Sequence, residues 1–241
     1  MSFYTYLKNK VTLLVIMMLS ASICFGQLSI SDVENQKISW PPIEDYLVDQ
    51  QNKSILHFQD FKASWHQAKD SAEFYTYQKV YLIKESIEKV WNVYASTSPN
   101  ISWKTDRCDF GLLYDRNQDS LLYADDKIPA LCPGNVLFIN LKLFKGLYQM
   151  ATAFEVTKVS SEQRFIEMSY IETGVARGKQ LIKLEATENG YTKVTHITRI
   201  KSGSKFRDRV AYPFFHNKII KEFHKKMRRM AMEESRAIAE L

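Results

Sequence analysis

Residues 136–159, VLFINLKLFKGLYQMATAFEVTKV, decide the fold. Leu137, Ile139, Leu141 and Leu143 stand at alternate positions, and so do Met150, Thr152, Phe154 and Val156, interleaved with Glu155 and Thr157. Successive side chains of a strand point to opposite faces, so this spacing of two predicts two strands. Lys145-Gly146 between them supplies the turn. The pattern continues in both directions. Upstream, Phe110 to Tyr114 and Ser120 to Ala124 flank the polar turn Asp115 to Asp119, and Pro133-Gly134-Asn135 leads into the next run. Downstream come Phe165 to Glu172, Lys179 to Thr187, the turn Glu188-Asn189-Gly190, and Tyr191 to Lys201. The reading is an antiparallel meander with one apolar face, hence a sheet covered on one side only.

Helical spacing brackets the meander. Ile87, Val90, Trp91 and Tyr94 lie on one face of a helix over 86–95, which Ser98-Pro99-Asn100 breaks. Ahead of it, the aromatic and β-branched run Glu73 to Ile83 predicts a first strand. In the last 30 residues, Phe215, Ile219, Phe223, Met227 and Met230 form an apolar stripe, with Lys218, Lys221, Lys225, Arg228 and Arg229 opposite. A long sheet curls, and its concave face needs a cover. The terminal helix is the element large enough to supply it, which predicts an α+β fold with a curved antiparallel sheet wrapped around a long C-terminal helix. An apolar cavity between the two would take an apolar ligand.

Residues 27–71 form a polar extension, with Trp40-Pro41-Pro42 as a breaker. Ile55, Phe58, Phe61 and Trp65, spaced 3, 3 and 4 apart, predict a short amphipathic helix leading into the domain at 72–241. Before the extension, Lys8 and Lys10 precede an uncharged run of 15 residues, Val11 to Phe25. That run is short of the roughly 20 apolar residues of a spanning helix but suits a signal peptide over 1–26, with Gly26 at the cut and Gln27 as the new N-terminus. A lipid anchor on Cys24 is the alternative, set against the bulk of Ile23 before it. The expected location is periplasmic or extracellular.

The composition is that of a globular protein: 241 residues, 45% hydrophobic and 25% charged, with 13 Tyr and 14 Phe. Without 1–26 the net charge falls from +6 to +4, too mild for a nucleic-acid binder. Cys108 and Cys132 then remain, and whether they are bonded stays open. They lack Cys-x-x-Cys spacing, and His57, His66, His196, His216 and His224 are scattered, so neither a metal site nor a cofactor is expected. No Gly-x-Ser-x-Gly elbow and no Gly-rich phosphate loop is present.

Local matches add to the element order: Ile87-Glu88-Lys89-Val90-Trp91 on the first helix, Ser102-Trp103-Lys104, Gly178-Lys179-Gln180-Leu181-Ile182, Thr192 to Thr198, and Phe206-Arg207-Asp208 through Tyr212-Pro213 to His216. On these, the segment from about 74 to 230 resembles the START-like, or helix-grip, superfamily, the Bet v 1-like (SRPBCC) class that includes lipid-transfer domains, pollen-allergen-type carriers and polyketide cyclases. The resemblance implies a hydrophobic small-molecule or lipid ligand in an internal cavity. Strand alternation then places Met150, Phe154, Met168, Tyr170, Ile182, Leu184 and His196 on the concave face, with Phe215, Ile219 and Phe223 closing it from the helix. Gln180, His196, Thr198 and Tyr170 are the inward polar groups. The rival readings are a cyclase- or hydratase-type enzyme with His196 or Tyr170 as acid/base, and an interaction module with a filled core. Arg207 and Asp208 either lock the start of the last helix or guard the cavity mouth, and the basic helix face is either solvated or a footing on anionic lipid.

Overall fold

Pairing of Val136–Leu143 with Tyr148–Glu155, residue against residue, forms the centre of one eight-stranded antiparallel sheet. The structure, a computed structural model, describes residues 27–65 and 74–239. Residues 1–26, where the sequence predicts a signal peptide, and residues 66–73, with His66 and Glu73, lie outside the described residues. The strands are β1 (Tyr75–Ile83), β2 (Cys108–Asp115), β3 (Ser120–Tyr123), β4 (Asn135–Leu143), β5 (Tyr148–Ser160), β6 (Phe165–Tyr170), β7 (Ala176–Ala186) and β8 (Thr192–Ser202). Their order across the sheet is β1-β8-β7-β6-β5-β4-β2-β3. The sheet is open, with β1 and β3 at its edges.

The helices are α1 (Pro41–Asn52), α2 (Ile87–Ser96), the single turn α3 (Pro99–Ser102) and α4 (Tyr212–Ala239), the last entered through a π turn at Arg207–Ala211. Helix α4 lies across the concave face and buries Ile219, Phe223 and Met227. Phe223 packs against Trp103 at 4.7 Å and Tyr94 at 6.1 Å between ring centroids. Lys218, Lys221, Lys225, Arg228 and Arg229 are all exposed. Cys108 and Cys132 are free thiols. Burial pushes the Cys108 thiol up to about 11, and its Sγ is within hydrogen-bonding range of the Trp103 carbonyl and Thr105 Oγ1.

The extension departs from its sequence reading. Trp40-Pro41-Pro42 does not break a helix but starts one: a proline at the first helical position lacks an N–H that would have no intrahelical acceptor there. The predicted helix through Ile55, Phe58, Phe61 and Trp65 is absent. Phe58–Asp60 is a single 3-10 turn, and Ala63 bridges Ile171 at the end of β6. The apolar spacing there serves a second core instead of a helix face. Ile30, Ile38, Ile43, Leu47, Phe58 and Phe61 bury against Leu112, Tyr114, Val136 and Phe138 on the outer face of the sheet. Ile43 reaches bare backbone at Gly111, where an added Cβ would fall 1.8 Å from Ile43 Cδ1.

The sheet is therefore covered on both faces over β2, β4 and part of β5, and every residue of β2 is buried. The expectation of one covered side holds for β7, whose burial alternates, but not for β2.

Candidate ligand-binding site

Strand β5 is longer than its neighbour. It pairs with β6 from Phe154–Tyr170 to Ser160–Phe165, and with β4 as far back as Tyr148. Among the described residues, its segment Tyr148–Thr152 has no strand on the β6 side. There the chain turns away through Ile171–Val175. Helix α4 crosses above this gap, and a cavity of about 440 Å³ occupies it. Consecutive residues Met150, Ala151, Thr152 and Ala153 all line the cavity, as a free strand edge requires. Opposite stand Gly174, Val175 and Ala176, and the helix side contributes Ala211, Tyr212, Phe215, His216 and Ile219. Small side chains on several sides leave the space open. Tyr46 of α1 reaches the same cavity from the outer face.

Polar groups are few. The Tyr46 hydroxyl is buried without a hydrogen-bond partner among the described residues, and burial raises its pKa. A second group sits deeper. Gln180 Nε2 donates to the Tyr170 hydroxyl at 3.0 Å, which shares a hydrogen bond with the Tyr212 hydroxyl. Gln180 Oε1 accepts from His196 Nε2 at 2.8 Å and from His216 Nε2 at 3.4 Å. Behind it, His196 Nδ1 meets His224 Nε2 at 2.8 Å, and His224 Nδ1 meets the Tyr94 hydroxyl at 2.7 Å. A neutral imidazole has one donor and one acceptor nitrogen. The chain of bonds is satisfied when Tyr94 donates to His224, His224 to His196, His196 to Gln180, and Gln180 to Tyr170.

Burial enforces that neutrality. It holds His196 down at about 3, and His216 and His224 are driven well below the ordinary imidazole range by burial first and neighbouring imidazoles second. Tyr170 is pushed up by burial, opposed by its bonds to Tyr212 and Gln180.

Of the residues named from the sequence, Met150, Phe154, Tyr170, Gln180, Phe215 and Ile219 line the cavity. Met168, Ile182, Leu184 and Phe223 lie in the packed core rather than in its wall. His196, only 1% exposed, and Thr198 sit behind the wall, with both imidazole nitrogens of His196 engaged. Arg207 and Asp208 divide the two roles considered for them. Asp208 is buried and accepts from the Ser202 backbone N–H at 3.0 Å, whereas Arg207 is exposed and lines the cavity.

Sequence reasoning missed Tyr46, Tyr212, His216, His224 and Tyr94. His216 and His224 flank the apolar stripe of α4, two turns apart, and that position was the available signal. Among the described residues, no group of His, Cys, Asp and Glu is arranged to hold a metal ion.

No protein-family model matches the chain, and no curated protein matches it. Solved structures do overlap it. Norcoclaurine synthase from Thalictrum flavum, in complex with dopamine and hydroxybenzaldehyde, is 12% identical, covers 71% of this chain and 95% of its own, and has a TM-score of 0.49. Protein Ms6760 from Mycobacterium smegmatis is 13% identical, covers 71% of this chain and 94% of its own, and has a TM-score of 0.46. With an open, eight-stranded antiparallel sheet gripping a long C-terminal helix, the chain has the START-like, helix-grip fold.

Proposed function

We propose that the chain is a carrier that holds one hydrophobic small molecule, a single-chain lipid or another amphiphile of that size, in the cavity beneath α4. One observation carries this reading: a cavity of about 440 Å³ beneath α4, walled by Met150, Phe154, Phe215 and Ile219. The volume falls in the range of ~300–1,000 Å³ usual for small-molecule pockets. Binding would draw on burial of apolar ligand surface at roughly 25 cal/mol per Å². Tyr46 and the Tyr170–Tyr212 pair would orient the polar end. The carrier would act outside the cytoplasm after loss of residues 1–26, and would meet an anionic membrane surface when it exchanges ligand.

Native mass spectrometry of gently purified protein tests the reading. The unmutated chain is expected to carry a bound hydrophobic mass, and Met150→Trp, which narrows the cavity, is expected to lose it. A bare mass for both proteins would contradict the reading.

A second reading, proton transfer to a bound substrate, draws on Tyr170 in the cavity wall and the hydrogen bond between its hydroxyl and that of Tyr212. Under it, Tyr170→Phe would keep ligand and lose turnover of a polyketide-like substrate, whereas unchanged turnover in that variant would contradict it. His196 has no role in this reading, because both its nitrogens are occupied away from the cavity.

A further inference from the structure

We infer that the chain docks on anionic membranes through the mouth of its cavity, apolar tips first, and not through the basic outer face of α4. The inference builds on the carrier reading, because the same mouth would then face the bilayer.

Three segments surround the mouth: the β4–β5 turn, the β6–β7 turn, and the chain from Ser204 into the first turns of α4. Tyr148, Val175, Arg207, Ala211 and Phe215 from these segments line the cavity. Each segment also points large apolar side chains into solvent. Leu147 is 91% exposed and Phe206 69%, with Phe144, Val175, Val210 and Phe214 each more than half exposed. Two of the segments meet through Phe215, whose ring centroid lies 4.8 Å from that of Phe144 and 5.0 Å from that of Phe214. Contiguous exposed apolar surface on a protein marks an interaction site.

Charge identifies the partner. The same segments present Lys145, Lys205, Arg207, Arg209 and Lys218, all exposed, and the exposed Arg177 follows at the start of β7. Lys218 Nζ sits 3.7 Å from the centre of the Phe214 ring. Asp208 is buried and turned to the Ser202 backbone, which leaves Glu172, in the β6–β7 turn, as the one exposed acid of these segments. Aromatic and leucine tips ringed by cations suit an anionic bilayer, where apolar side chains enter the headgroup boundary and basic ones meet the phosphates.

The outer groove between Lys104–Asp106 and α4 lacks this combination. Lys225, Lys226, Arg228 and Arg229 line it together with Asp106, Glu222 and Glu233, and no exposed large apolar residue is among them. Arg229 is already paired with Glu233 at 3.6 Å.

Co-sedimentation of the purified protein with vesicles of phosphatidylcholine, or of equal parts phosphatidylcholine and phosphatidylglycerol, tests the inference. Binding to the anionic vesicles alone is expected. Leu147→Ser combined with Phe206→Ser should weaken it at least about ten-fold, and Lys145→Glu or Lys205→Glu about five-fold each. Lys225→Glu with Arg228→Glu should stay within about two-fold. Loss of binding in that outer-face pair with none in the mouth variants would overturn the inference. So would equal binding to neutral vesicles, or self-association of the chain that Leu147→Ser abolishes. Uptake of the dye anilinonaphthalene sulfonate into the cavity, blocked by Met150→Trp, separates this inference from the carrier reading. Protein that takes up dye but ignores vesicles contradicts docking alone. Protein that binds vesicles but takes up no dye contradicts the carrier alone.

Discussion

On the outer face of the sheet, Phe58, Phe61, Tyr114 and Phe138 meet ring to ring at 5.1 to 6.0 Å, and Ile43 fills the notch left by Gly111. On the concave face, the helix stands off β5 where Gly174, Ala176 and Ala211 leave nothing to interlock. Both faces are apolar. They differ in the continuity of the sheet beneath them. The outer core rests on β2, β4 and β5, paired along their shared length, whereas the cavity lies where β5 runs beyond β6 and presents a free edge. A second difference is polar: the concave side buries three neutral histidines, whereas the outer core is aromatic and aliphatic.

Acid gives the largest effect that separates the two faces. The folded pKa values of His196, His216 and His224 lie below the free value, so their neutral forms favour the folded chain. Above pH 6.5, the ordinary value for histidine, that stability is fully present. Below it, the unfolded chain takes up protons that the folded one cannot, and stability falls by about 1.4 kcal/mol per histidine for each pH unit. For His196 the loss continues down to about pH 3. Urea midpoints measured from neutral pH downward should drop steeply, and His216→Leu should flatten the slope by about one third. A slope unchanged by that substitution would show that the imidazole is not held neutral.

Truncation on the filled face comes next. Phe58→Ala leaves a hole in an interlocked cluster and is expected to destabilise the protein by about 3–5 kcal/mol, read by urea unfolding. Enlargement on the hollow face should do far less: Met150→Trp is expected to change stability by less than about 1.5 kcal/mol while abolishing ligand retention. Gly111→Leu, a comparable enlargement on the filled face, should be several-fold more damaging, because Ile43 has nowhere to go. Similar losses for Met150→Trp and Gly111→Leu would erase the contrast between the faces.

The meander was legible because alternation survives wherever one face stays wet or mixed, as in β7, where burial alternates along the strand. The outer core was harder to see, although its mark was present. Phe110-Gly111-Leu112-Leu113-Tyr114 and Val136-Leu137-Phe138-Ile139 are unbroken apolar runs, and such runs indicate strands buried on both faces. Those runs called for a second cover, which residues 30–61 provide. Trp40-Pro41-Pro42 misled because a proline that ends one helix can begin another.

The cavity wall was legible where strand alternation and the helix stripe applied, as for Met150, Phe154, Tyr170, Gln180, Phe215 and Ile219. The free edge of β5 depends on where β6 stops, a pairing between distant segments that no local pattern records. The His196–His224 contact likewise joins a strand to a helix 28 residues on.

The most direct test of the hollow is a high-resolution crystal structure of the gently purified protein, read at the space between Tyr46, Met150 and Phe215. A bound amphiphile there, with a polar atom within hydrogen-bonding reach of the Tyr46 or Tyr170 hydroxyl, is the expected result. Phe215 swung inward, with α4 settled onto β5 and no space between them, would contradict it.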